Sequence, residues 1–315
     1  MPVATSARVH PTAVISPQAY VGENCEIGPF VVIEGRVNLG AHCVVRPHAT
    51  LIGPMDLGEG NTVFGGAILG ELPQHLKFNG EETRVVIGDN NVFRENVTVH
   101  RGTTGRYETR IGNNNFLMAG SHIAHDAVVG NNCILANNAL VAGHCVLEDY
   151  VYMSGNSALH QFCRMGRLSL LSGCSASTKD VPPFTIQQHI NHVCGVNVVG
   201  MRRAGIPAAG IDAIRKAYQV IHRSEKTLPS ALMQLEADLG DVDVVVEMIS
   251  FIRESSRGIN IADSHHGLSA KQRRLTRPAG LNRLHTQPPA MAVVCFPGGG
   301  RSRRRPHRSG FAVGP

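Results

Sequence analysis

The feature that most constrains this chain is a bulky apolar residue at every sixth position. From Val9 the series runs Ile15, Val21, Ile27, Ile33, Leu39, Val45, Leu51, Leu57, Val63 and Leu69; it resumes at Ile87, Phe93 and Val99, and again from Ile111 to Leu171. Of the 28 such slots between 9 and 171, 25 are bulky and apolar, where a chain with 43% hydrophobic residues would fill about 12; only His75, Glu81 and Gly105 break the series. A step of six fits neither the 3.6 period of an α-helix nor the simple alternation of a strand. It describes a short strand, a tight turn and another short strand. A small residue often stands two positions before the slot (Ala19, Cys25, Cys43, Ala67, Ser121, Cys133, Cys145, Cys163), and glycine often follows it (Gly22, Gly28, Gly40, Gly58, Gly70, Gly88, Gly112, Gly130). Large and small inward residues would fill the angles of a triangular prism, and glycine is expected to permit the turn at each corner. This is the signature of a mainly β fold, a parallel β-helix of hexapeptide repeats. Three steps close one coil of about 18 residues, and coils stack about 4.8 Å apart.

The broken slots mark insertions at 71–84 and 101–108, after which the phase returns. Insertions in a repeat array collect on one face, often the binding face, so both are candidate site loops. Consecutive prolines in Asp180-Val181-Pro182-Pro183 close the β run, and the prism is assigned to 8–194. Beyond about residue 200 the period becomes helical, in segments from Ile206 to Ile221, Leu228 to Leu239 and Val242 to Ile252, giving a small α-helical domain at 195–260. Residues 200–230 hold six basic and two acidic residues, and 231–260 hold two basic and six acidic. A basic first half suits an acidic partner, or is simply a solvated helix face.

The net charge of +6 misleads, because residues 261–315 carry ten Lys/Arg against Asp263 alone and leave the first 260 residues at −3. Nucleic acid is therefore not an expected partner of the folded body. The tail 261–315, aperiodic and rich in Pro, Gly, Ser and Arg, reads as disordered; a polyanion-binding arm and a non-native end from a shifted reading frame are the alternatives. No run of eighteen apolar residues occurs, so no membrane span is expected. The opening Met-Pro-Val-Ala-Thr-Ser-Ala-Arg has no basic flank leading into an apolar stretch, which argues against a secretory signal and for a cytoplasmic location. Eight cysteines with no Cys-x-x-Cys pattern fit small buried fillers better than zinc ligands or disulfides, although Cys25 and Cys43, and Cys145 and Cys163, should stack in neighbouring coils.

Chemistry is concentrated in the histidines. Ser121-His122-Ile123-Ala124-His125-Asp126 is the densest stretch; His144 lies 18 residues beyond Asp126, and His160 follows. A general base needs an imidazole whose tautomer is fixed by a neighbour, and Asp126 can do this or merely cap the turn. Metal binding is the second reading, since His100, His122 and His144 offer three imidazoles, as in a catalytic zinc site.

The ladder, Pro73-Gln74-His75-Leu76-Lys77, Thr98-Val99-His100-Arg101-Gly102-Thr103, His122-Ile123-Ala124-His125-Asp126, His160-Gln161-Phe162-Cys163, and Gly195-Val196-Asn197 through Arg202-Arg203-Ala204-Gly205 closely resemble the acyl-[acyl-carrier-protein]–UDP-N-acetylglucosamine O-acyltransferases, from about residue 8 to 260. The resemblance implies a left-handed β-helix assembled as a homotrimer with sites between subunits. It implies transfer of a 3-hydroxyacyl chain from acyl carrier protein to the 3-hydroxyl of UDP-N-acetylglucosamine, the first step of lipid A synthesis, with no metal and no cofactor beyond the donor's phosphopantetheine thioester. His125 would be the base, Asp126 its orienting acid and the Gly143 N–H the oxyanion donor. Gln74, Lys77, His122, His144, His160, Gln161, Asn197 and Arg203 match substrate-binding positions. Gly173 matches the position that limits acyl-chain length, glycine admitting long chains of about fourteen carbons. The family commonly has an acid where this chain has His75 and a glutamate where it has Val199, which leaves open the sugar contacts and whether the acceptor is N-acetylglucosamine or a 3-amino analogue. The N-acyltransferase of the same pathway carries an extra N-terminal domain for which a ladder starting at Val9 leaves no room. A zinc carbonic anhydrase on the same prism, and a non-catalytic scaffold, are the remaining alternatives.

Overall fold

The computed structural model describes residues 3–262; the expectation for the tail beyond them lies outside the described residues. The six-residue step is a three-sided parallel β-helix. Among the described residues, an eleven-stranded sheet runs from Arg8–Val9 to His192–Val196, a nine-stranded sheet from Val14–Ile15 to Ala176–Ser177, and an eight-stranded sheet from Tyr20–Val21 to Arg164–Met165. Neighbouring strands pair in register one coil apart, as Arg8 with Glu26 and Val128 with Val146. Across the first insertion the partners are Leu57 and Ile87, and across the second Phe93 and Leu117. The insertions therefore add two hexads and one hexad, which is why the inward phase survives them.

The slot residues fill the prism: from Val21 to Leu171 they are at most 3% exposed, and only Val9 and Ile15, in the first coil, are less covered. The column two positions before the slot runs Cys25, Cys43, Asn61, Asn91, Asn115 and Cys133. Asn91 donates to Asn61 Oδ1 at 3.0 Å and to the Gly112 carbonyl at 2.9 Å, so these buried amides are satisfied by one another and by the coil backbone. Cys25, Cys43, Cys145 and Cys163 are free thiols, and burial pushes Cys133 and Cys145 up to about 12. They act as fillers.

The corners differ from expectation. The residue in the left-handed region stands three positions before the slot and is most often asparagine: Asn24, Asn90, Asn96, Asn114, Asn132, Asn138 and Asn156 have φ of 55–57°. Asparagine tolerates that region better than most residues. Of the glycines after the slots, only Gly70 has a positive φ. The others are needed because coils touch there: a Cβ on Gly40 would lie 2.5 Å from the Gly58 carbonyl carbon.

The last two strands among the described residues, Thr185–Gln188 and His192–Val196, form an antiparallel pair. Among the described residues four helices follow: α1 (Val198–Arg203), α2 (Ala208–His222), α3 (Leu228–Leu239) and α4 (Asp243–Arg253). Thr227 caps α3 by accepting from the Ser230 N–H, with Pro229 in the first turn. The helices share one core with the end of the prism, in which Leu168 and Phe184 meet Met201, Ile214, Leu235 and Met248. No helix among the described residues is long and apolar enough to cross a membrane.

Candidate active site

Asp126 and His144 occupy successive turns of one corner, with φ of 60° and 62°, and Phe162 follows in the next coil. The His144 N–H donates to the His125 carbonyl at 3.0 Å, and the Phe162 N–H to that of Gly143 at 3.1 Å. The 101–108 loop folds over this corner. Asp126 Oδ1 accepts from the N–H groups of Thr103 and Arg106, both at 3.0 Å, while Oδ2 accepts from Thr103 Oγ1 at 2.6 Å. His125 Nδ1 lies 2.8 Å from Oδ2. Burial opposes ionisation of Asp126, but the hydrogen bonds from His125 and Thr103, then Arg106, outweigh it and hold the carboxyl well below the usual carboxylate range. The carboxylate thus both caps the turn and orients the imidazole.

An ionised Asp126 fixes the His125 tautomer. Nδ1 must carry the proton it donates, so Nε2 holds the free lone pair. That nitrogen faces Gly143, where a Cβ would stand 2.8 Å from it. Two further imidazoles pack against the ring: His75, from the 71–84 loop, meets His125 edge-on at 5.1 Å, and His144 does so at 5.2 Å. His144 is itself stacked on Phe162 at 4.5 Å. Burial lowers the pKa of His144 against the pull of Asp126. His122 accepts or donates at 2.7 Å to Thr98 Oγ1 and packs edge-on to His100; burial, and then the neighbouring His100 and His125, push it down to about 4. A ring nitrogen with a free lone pair, aligned by the carboxylate on the far side of its ring, can accept a proton from a hydroxyl.

The other expected site residues are dispersed around this centre. Gln74 and Lys77 are exposed on the 71–84 loop, His160 and Gln161 on the coil beyond His144, and Gly173 one coil further. Asn197 is buried, and its side chain is engaged at both ends: Oδ1 accepts from the Gly200 N–H, capping α1, and Nδ2 donates to the Leu168 carbonyl. Arg203 is exposed in the last turn of α1. The trio His100, His122 and His144 does not form a metal-holding group; among the described residues the ligand atoms close enough for one belong to His125, Asp126 and His144. The oxygens of Asp126 in that group are already engaged by N–H and O–H donors. Thr103 and Arg106 are partners of Asp126 that spacing missed, because their loop stands outside the repeat.

Comparison with known proteins decides the family. The chain is 46% identical over 253 residues to the acyl-[acyl-carrier-protein]–UDP-N-acetylglucosamine O-acyltransferase of Anaeromyxobacter sp. (strain Fw109-5), spanning 80% of this chain and 98% of the relative. The chain belongs to this O-acyltransferase family. The corresponding enzyme of Halorhodospira halophila (strain DSM 244 / SL1) is 48% identical over 254 residues, with 80% and 98% covered. The profile for UDP-N-acetylglucosamine O-acyltransferase domain 2 matches residues 180–260, and that for the bacterial transferase hexapeptide matches 18–53 and 108–143. Among solved structures, the UDP-N-acetylglucosamine acyltransferase from Bacteroides fragilis 9343 superposes with a TM-score of 0.73 at 40% identity, covering 82% of this chain and 99% of that one. The acyltransferase from Campylobacter jejuni does so with a TM-score of 0.77 at 33% identity, covering 81% and 100%. As a member of this family the chain is an acyltransferase built on a hexapeptide β-helix.

Proposed function

We propose that this acyltransferase moves a 3-hydroxyacyl chain from acyl carrier protein to the 3-hydroxyl of UDP-N-acetylglucosamine, opening lipid A synthesis, with His125 as general base. The observation that carries the mechanism is the 2.8 Å contact of His125 Nδ1 with an Asp126 carboxylate itself held by Thr103 and Arg106. His125 Nε2 takes the proton of the sugar hydroxyl as its oxygen attacks the thioester carbonyl. The Gly143 N–H donates to no acceptor among the described residues, and it stabilises the oxyanion of the tetrahedral intermediate. Collapse breaks the carbon–sulfur bond, and the leaving thiolate of the phosphopantetheine arm takes the proton back from His125. The thioester supplies the activation, so neither metal nor a further cofactor has a step to perform.

His122 and His144, kept neutral by burial, are suited to donate to or accept from the sugar and the acyl chain. Lys77 and Arg203 are suited to phosphate, and the basic residues of α1 and α2 to an acidic carrier protein in the cytoplasm. A homotrimer is supported by the outer face of the eleven-stranded sheet, where Val92, Phe116, Ile134, Tyr152 and Leu170 form a half-buried apolar stripe on the single chain. The test is an acyl-transfer assay with UDP-N-acetylglucosamine and a series of 3-hydroxyacyl carrier proteins. His125→Ala should remain folded and lose a factor of about 10²–10⁴ in turnover; near-normal turnover would remove His125 as the base.

A further inference from the structure

Arg257 lies 97 residues from His160 in sequence, yet its Nη2 stands 3.3 Å from His160 Nδ1 and 3.3 Å from the Thr178 carbonyl. Its placement is not left to a loose chain end. The segment after α4 wraps around Asp180, which is only 1% exposed. Ser255 Oγ donates to Asp180 Oδ2 at 2.8 Å, the Asp180 N–H donates to the Gly258 carbonyl at 2.9 Å, and the Asn260 N–H donates to the Asp180 carbonyl at 2.9 Å. The other carboxylate oxygen of Asp180 accepts from the Arg164 N–H at 2.8 Å. Asn260 is tied further to Ser177 Oγ at 2.7 Å. Arg257 therefore sits between two anchors, both fixed to one buried residue of the prism, and is held over the coil that carries His160.

We propose that Arg257 is a positioning residue that fixes the tautomer of His160. A guanidinium has donors only, so His160 Nδ1 must offer its lone pair and Nε2 must carry the proton. The Gln161 carbonyl, 3.2 Å from the same Nδ1, favours the opposite arrangement. The charged donor prevails, because charge-assisted hydrogen bonds are about twice as strong as neutral ones. His160 thereby presents Nε2–H as a donor to an acceptor oxygen of the substrate. This rests on the reading of His160 as a substrate-binding residue.

The experiment combines ring-nitrogen NMR of histidine-labelled full-length protein with steady-state kinetics. The His160 signals are assigned by their loss in His160→Gln. In the wild type, Nε2 should be protonated and Nδ1 not. Arg257→Ala should shift that balance towards Nδ1–H and raise KM for one substrate about tenfold with kcat within about twofold, and Arg257→Lys should restore part of both. The double variant Arg257→Ala/His160→Gln should be no worse than His160→Gln alone, since the two residues act through one contact. An unchanged tautomer in Arg257→Ala, or losses that add in the double variant, would overturn the proposal and leave Arg257 a structural tie to Thr178. If His160→Gln leaves both KM values unchanged while the ring nitrogens still respond to Arg257→Ala, the positioning contact stands and the substrate role of His160 falls.

Discussion

Gly143→Ala is the sharpest probe of the active-site geometry, because it adds one methyl group and removes neither a catalytic side chain nor the Gly143 N–H. The added Cβ would stand 2.6 Å from His125 Cε1, 2.8 Å from Nε2 and 3.2 Å from Nδ1. An ordinary carbon contact is about 3.5 Å, so the ring must retreat by about 0.7–0.9 Å. Gly143 is outside the left-handed region in this structure, so backbone strain adds nothing and the whole effect falls on His125. The ring is pinned on its far side by the 2.8 Å bond to Asp126; it either gives up that bond or keeps it with Nε2 turned from its line of attack. A misplacement of about 1 Å costs about 10²-fold in rate, equivalent to about 2.7 kcal/mol in the barrier. Overpacking of this kind costs about 1–3 kcal/mol of stability, which a prism of this size survives. The assay is kcat at saturating sugar and acyl donor, with the melting temperature measured alongside. Turnover should fall about a hundredfold in a folded protein, and His125→Ala/Gly143→Ala should be no slower than His125→Ala alone. A Gly143→Ala enzyme within about threefold of wild type, or a double variant markedly slower than His125→Ala, would refute a base whose Nε2 faces residue 143.

Two further outcomes follow from the same geometry. The depressed pKa of Asp126 means that the folded state binds fewer protons there than the unfolded chain; its contribution to stability is complete above about pH 4, the unfolded value, and is lost as the pH falls towards the lower folded value. Asp126→Asn should therefore lose turnover by one to three decades and show a flatter dependence of stability on pH below about 4 than the wild type, which urea titrations at several pH values will read. At Gly173 a built Cβ meets only the Gly155 carbonyl at 3.5 Å and Ser154 Cβ at 3.9 Å, so Gly173→Met should fold normally while shifting the preferred donor from about fourteen carbons to about ten. Four methylenes at about 0.8 kcal/mol each set the scale of that change at about 3 kcal/mol; an unchanged chain-length profile would remove Gly173 as the determinant.

What could be seen in the sequence, and what could not, follows from how often each environment recurs. Leu39, Leu57 and Ile111 announce the prism because every coil presents the same inward site and one residue class fills it. The helices are legible for a similar reason, and α3 begins and ends where its periodicity does. The corners were misassigned because two demands have the same period: a left-handed residue, met by Asn24 or Asn132, and a close approach of stacked turns, met by Gly22 or Gly40. Glycine answers both, so composition alone attaches it to the wrong one. At the site, His125 and Asp126 are adjacent and therefore visible together. Their partners are not: Thr103 and Arg106 reach Asp126 from an insertion that departs from the repeat, and Arg257 reaches His160 across the whole helical domain. A periodic fold advertises what is repeated. The residues that make one corner of it reactive are those that break the repetition, and only the path of the folded chain brings them to it.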